Sequence, residues 1–148
     1  MIAVDASMAV KWVVPEEHSD KAKDLYRAAI EAGERLVAPP LLPIEVVNIL
    51  RQKMRGAQAS LTLREALQLV EQFMALPVEL SVPDRLYQHA LELADEYGLP
   101  AAYDAYYIAL AELLGCSLWT DDRRLIRALG GHLPFVRPIG DYEAGASL

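Results

Sequence analysis

AAYDAYYIALAELLGCSLWTDD, residues 101–122, is the stretch on which the reading of this chain turns. Its first part is apolar nearly all the way round, the pattern of a helix surrounded by core. Gly115 closes it, and SLWT (117–120) follows as a short apolar strand. A buried helix beside a short buried strand suggests a crossover between parallel strands. Three residues fit poorly with so dry a segment: Asp104 inside the first helical turn, and the acidic pair Asp121-Asp122 directly after the strand.

The same alternation extends outward. IAV (2–4) reads as a buried strand ending at Asp5, followed by a short helix around Ser7–Trp12 that stops before Pro15, with Ser7 as its cap. Ser19 or Asp20 can cap the next helix, with Ala22, Leu25, Tyr26, Ala29 and Ile30 at helical spacing. RLVA (35–38) is a second strand. PIEVVNILRQKMRG (43–56) opens with proline and closes with glycine, and Ile44, Val47, Leu50 and Met54 are its expected inward stripe. Thr62-Leu63-Arg64-Glu65 has the form of a capping box before the stripe Leu63, Ala66, Leu67, Val70, Phe73 and Met74. VELS (78–81) is a third strand, with a helix behind it that turns Leu86, Ala90, Leu93, Ala94 and Tyr97 inward. RRLIRAL is a short helix and FVR (135–137) a fifth strand; from Gly140 onward the chain has little to bury and is expected to fray. Four to five short strands separated by helices imply a doubly wound α/β fold, a central parallel sheet flanked by helices, in one domain over residues 1–148.

With 148 residues, 53% hydrophobic and 24% charged, the composition is that of a globular protein. No apolar run approaches the roughly 20 residues needed to span a bilayer. The first residues lack a basic leader, and the lone Cys116 suits a reducing compartment, so a cytoplasmic, non-membrane protein is expected. The net charge of −7 argues against coating nucleic acid through a broad basic surface.

Doubly wound folds place their sites beyond the carboxyl ends of the strands, where strand order reverses. Asp5 follows the first strand, Asp121 and Asp122 follow SLWT, and Glu45 and Asp104 lie in first helical turns. All should gather at one edge of the sheet. Each alone has an ordinary explanation: an acid in a first turn gains about 0.3–1 kcal/mol from the helix dipole, and an Asp after a strand often caps a helix. Their coincidence is harder to explain in that way. Carboxylates crowded together repel, and a hard divalent cation with oxygen ligands relieves the repulsion. No Cys/His cluster, no G-x-G-x-x-G after a strand and no P-loop is present, which removes zinc, dinucleotide and nucleoside triphosphate motifs. Trp12, Trp119 and the tyrosines at 103, 106 and 107 read as packing residues.

Taken in order, VDAS with the following apolar-Lys-Trp segment (Val4–Trp12), PIEVVNILR (43–51), YDAYYIALAELLG (103–115) and WTDDRRL (119–125) resemble PIN-domain proteins of the VapC type. These are toxins of bacterial and archaeal toxin–antitoxin pairs. The resemblance implies a PIN-like fold and a metal-dependent endoribonuclease, leaving 5′-phosphate and 3′-hydroxyl ends. It implies catalytic acids at Asp5, Glu45, Asp104 and Asp122, with Mg²⁺ or Mn²⁺ on Asp5, Asp104 and Asp122; Asp121 stands beside them as an alternative ligand. Ser7 and Thr120 would be supporting hydroxyls. Lys11, Arg51, Lys53, Arg55, Arg123 and Arg124 flank the acids and could form a rim for RNA. A VapB-type antitoxin and a homodimer are implied as partners, with the helices at 43–56 and 62–76 as candidates for an apolar interface. Two alternatives compete: a metal-dependent phosphatase of the haloacid dehalogenase type, which wants an Asp where Ser7 stands, and a non-catalytic Mg²⁺-binding scaffold.

Overall fold

β1 (Ile2–Val4) pairs in parallel with β2 (Leu36–Ala38) on one side and with β4 (Ser117–Thr120) on the other. β3 (Val78–Leu80) and β5 (Val136–Pro138) complete a five-stranded sheet of order β3-β2-β1-β4-β5. The computed structural model describes residues 1–145. From β1 the chain steps outward to β2 and β3, then returns to the far side of β1 for β4 and β5. Strand order therefore reverses between β1 and β4. Their register pairs Val4 with Trp119, so Asp5, just past the end of β1, lies beside Thr120, the last residue of β4.

Seven α-helices lie among the described residues: α1 (Ala6–Ala9), α2 (Ser19–Glu31), α3 (Leu42–Lys53), α4 (Leu63–Met74), α5 (Leu86–Glu96), α6 (Tyr103–Leu114) and α7 (Arg123–Leu129). None is long and apolar enough to cross a membrane. The α6 helix is buried as its composition demands, with Ala105, Tyr107, Ile108, Ala109, Leu110 and Ala111 all inside, packed on α5, β1 and β4. Gly115, at φ 63°, adopts the left-handed cap that ends α6 before β4. The capping box at Thr62 and Glu65 forms as expected.

Three expectations need correction. The inward row of α3 is Leu42, Val46 and Leu50, whereas Ile44 is 66% exposed and Val47 48%. Likewise α4 buries Ala66 and Phe73 but leaves Leu63, Leu67 and Met74 outside. Both helices carry two neighbouring apolar rows, and periodicity alone does not say which one meets the sheet. The cap of α1 is Asp5, which accepts from the Met8 N–H at 2.8 Å, and not Ser7. The chain from Gly140, expected to have little to bury, does bury a ring: Ile139–Asp141 form a 3-10 turn, and Tyr142 is buried edge-on against Trp119 with ring centroids 5.5 Å apart. An aromatic ring with core to reach holds that segment down. Residues 146–148 of the expected frayed end lie outside the described residues.

Candidate active site

The carboxyl edge of the sheet opens into a cleft of about 170 Å³ lined by Asp5, Ala6, Ser7, Glu45, Asn48, Ile49, Asp104, Tyr107 and Asp122. It sits at the switch point between β1 and β4, where doubly wound folds bind their ligands. Four carboxylates face it and no basic side chain lines it.

Asp5 is the best-held of the four. Its Oδ1 accepts from the Met8 N–H and from Ser7 Oγ, each at 2.8 Å, and its Oδ2 accepts from Thr120 Oγ1. The two hydroxyls are oriented from behind. Ser7 Oγ accepts from the Asp121 N–H at 2.8 Å, and Thr120 Oγ1 from the Asp122 N–H at 2.9 Å. Since each oxygen already receives a backbone proton, its own proton points at Asp5. Thr120 is fully buried beneath the cleft floor. Burial pushes the Asp5 carboxyl up to about 6, against the lowering effect of the Thr120, Met8 and Ser7 hydrogen bonds, and the charge of Asp104 adds to the rise.

The other acids are less constrained. Asp122 caps α7, its Oδ1 accepting from Arg124 N–H at 2.7 Å and Leu125 N–H at 3.1 Å, which leaves Oδ2 for the cleft. Asp104 lies in the first turn of α6 and makes no hydrogen bond or ion pair among the described residues. Burial raises its carboxyl above the usual range, and the charge of Asp122 raises it further. Glu45, in the first turn of α3, is also raised by burial and by Asp104, while a hydrogen bond from the Tyr107 hydroxyl to its Oε2 opposes the rise. The acids thus sense one another across a shared space. Asp121 does not join them. Its carboxylate is held by Lys11 at 2.8 Å and His18 at 2.9 Å, and although burial works upward, these contacts keep it below the usual range. Of the adjacent pair, Asp122 faces the cleft and Asp121 faces away.

The chemistry of the donor set suits a hard divalent cation: carboxylate oxygens, no soft ligand, and mutual repulsion that a dication would relieve. Among the described residues, no group of three or more His, Cys, Asp or Glu side chains stands close enough together to hold a metal ion by itself. An open set is what Mg²⁺ takes, because it keeps several waters and uses one or two carboxylates.

The basic rim is smaller than the sequence suggested. Lys11 is only 4% exposed and is enclosed by Glu16, Glu17 and Asp121. Lys53 pairs with Glu16 at 2.7 Å, and Arg123 with Glu17 at 2.7 Å. Arg51, Arg55 and Arg124 are exposed and carry no ion pair among the described residues. Tyr107, read from sequence as packing, lines the cleft one helical turn after Asp104, and Asn48 lines it one turn after Glu45. The i, i+3 spacing on an acid-bearing helix was the available signal for both.

A family model described as PIN domain matches residues 2–130, and the chain belongs to the PIN-domain family. Within that family it is a VapC-type protein. It is 36% identical to Ribonuclease VapC3 of Pyrobaculum aerophilum over 129 residues, covering 84% of this chain and 91% of that one. It is 31% identical to Ribonuclease VapC12 of Mycobacterium tuberculosis over 130 residues, covering 88% of this chain and 93% of that one. The crystal structure of PAE2754 from Pyrobaculum aerophilum shares the fold, with a TM-score of 0.67 at 23% identity, over 94% of this chain and 90% of that one.

Proposed function

We propose that this protein is a metal-dependent endoribonuclease, the toxin of a type II toxin–antitoxin pair that acts in the cytoplasm, and that the acidic cleft is its active site. The observation that carries this reading is the gathering of Asp5, Glu45, Asp104 and Asp122 from four separate segments around one uncompensated cleft. The ribonuclease names of its VapC relatives support it. Asp5, Asp104 and Asp122 would hold Mg²⁺ or Mn²⁺, which when bound polarises the phosphate and eases deprotonation of water.

The protein's own part is positional and electrostatic. Ser7 and Thr120 hold the Asp5 carboxylate in place at the cleft. Asp122 presents Oδ2 while its Oδ1 is anchored to α7. Glu45, with Oε2 tied to Tyr107, offers Oε1 to the attacking water and takes its proton. The water oxygen bonds to phosphorus as the phosphorus–3′-oxygen bond breaks; the departing 3′ oxygen takes a proton from solvent water, and Glu45 later returns its proton to solvent. The products are a 5′-phosphate and a 3′-hydroxyl. Arg51, Arg55 and Arg124 form a sparse rim, enough for a short folded RNA and too little for long tracking contacts. Digestion of structured RNA with Mn²⁺ or with EDTA, followed by end-group analysis, tests this reading. Metal-dependent fragments with 5′-phosphates are expected. Free phosphate released from small esters, with RNA chains left intact, would instead indicate a phosphatase.

Tyr107→Phe removes only the hydroxyl that anchors Glu45. The variant should fold normally and cleave about 10-fold or more slowly at unchanged KM, the scale seen when a partner of an active-site ligand is lost. Equal rates would leave Glu45 without a need for its anchor.

A homodimer and a VapB-type antitoxin belong to the same proposal. The outward apolar rows of α3 (Ile44, Val47) and α4 (Leu63, Leu67, Met74) lie on two helices packed against each other. Leu67→Glu should shift the protein from dimer to monomer in analytical ultracentrifugation without lowering its melting temperature. A dimer that survives would move the interface elsewhere.

A further inference from the structure

Lys11 is a full charge placed where the sequence pattern puts core. It lies in the 3-10 turn Val10–Trp12, between two buried residues, and is itself 4% exposed. Its three ammonium protons meet three acceptors: Glu16 Oε1 at 2.9 Å, the Glu17 carbonyl at 2.8 Å and Asp121 Oδ2 at 2.8 Å. Burial works against its charge, yet the contacts with Asp121 and Glu16 hold it protonated, above the usual lysine range. Glu16 continues the chain of charges to Lys53, at the end of α3.

The contact with Asp121 matters for the cleft. Asp121 Oδ1 is held by His18 Nδ1 at 2.9 Å, so both of its oxygens are clamped by residues 11–18. The backbone of that same turn supplies the N–H groups of Asp121 and Asp122 that orient Ser7 and Thr120 towards Asp5. The acidic pair is thus divided: one carboxylate anchors the turn from behind, and the other faces the cleft.

We propose that Lys11, through Asp121, is a positioning residue for the acidic cleft: it locks the turn between β4 and α7 so that Asp122 faces inward and the Ser7 and Thr120 hydroxyls stay aimed at Asp5. Its consequence for metal binding rests on the nuclease reading above; the positioning itself does not. A compact ammonium suits the task, since three acceptors converge on one point and no planar fork is needed.

The test uses Asp121→Asn, Lys11→Met and the double variant, each in the full chain. Asp121→Asn keeps Lys11 paired with Glu16 and is the variant expected to fold in every case. Two quantities are read beside the melting temperature: amide hydrogen exchange at Asp121 and Asp122, and Mn²⁺ affinity by calorimetry. With melting nearly unchanged, Asp121→Asn should lose about 10–100-fold in Mn²⁺ affinity and lose exchange protection at both amides, while β1 amides stay protected. The double variant should be no worse than the worse single one, because the two residues act as a unit. Parent-like affinity and protection in Asp121→Asn would overturn the proposal and leave Lys11 as an ion pair of structure only. If the parent shows no Mn²⁺ binding that Asp104→Asn removes, the metal reading has failed, and exchange at the two amides alone decides the positioning: protection lost upholds it, protection kept ends it.

Discussion

Asp104→Asn is expected to remove metal-dependent RNA cleavage almost completely, by about 10²–10³-fold or more, while leaving the fold intact. The magnitude follows from losing a group that stabilises developing charge in a preorganised site. Asp104 has no hydrogen-bond partner among the described residues, and its carboxyl is raised by burial and by Asp122. Replacing it therefore breaks no structural contact, and the amide should raise thermal stability slightly if it changes it at all. Cleavage assays of the folded variant beside the parent would check this. A variant that cuts as fast as the parent would remove Asp104 from the site.

The second large effect concerns Asp5 and pH. Burial raises its carboxyl from the ordinary 3.8 to about 6. In the metal-free protein the folded state thus holds a proton that the unfolded chain releases near pH 4. Stability should fall as pH rises from about 4 to about 6 and stay low above that, a loss of about 3 kcal/mol from this group. Asp5→Asn abolishes the charge and keeps an acceptor for the Met8 N–H. Its melting temperature should exceed that of the metal-free parent by several degrees at pH 8, and the advantage should vanish at pH 4. The same variant should be inactive in RNA cleavage. Mn²⁺ should raise the melting point of the parent at pH 8 and not that of the variant. A metal-free parent more stable than Asp5→Asn at pH 8 would mean that the three donors around Asp5 outweigh its burial.

The convergence of these acids was legible in the sequence because parallel topology is restrictive. Once IAV and SLWT are read as parallel strands, Asp5 and Asp122 must emerge at the same edge, and the helices that start there bring Glu45 and Asp104 with them. Choices between equivalent faces were not legible. Ile44 and Val47 are as apolar as Val46 and Leu50, and only the angle at which α3 meets its neighbours selects the row that is buried. Lys11 was hidden for a related reason. A lysine flanked by Val10 and Trp12 reads as a surface interruption unless its acceptors are known, and Asp121 lies 110 positions further on. Tyr107 resembled its neighbours Tyr103 and Tyr106, yet it alone of the three turns into the acidic cleft.

Paramagnetic broadening reads directly whether the acidic cleft binds a divalent metal, as proposed above. Substoichiometric Mn²⁺ added to isotope-labelled protein should broaden the resonances of Asp5, Ser7, Asp104 and Asp122 first, and Mg²⁺ in excess should reverse the effect. The same titration of Asp104→Asn should need far more Mn²⁺. Broadening that begins at the surface acids of α4 or α5, unchanged in the variant, would show that the cleft holds no metal.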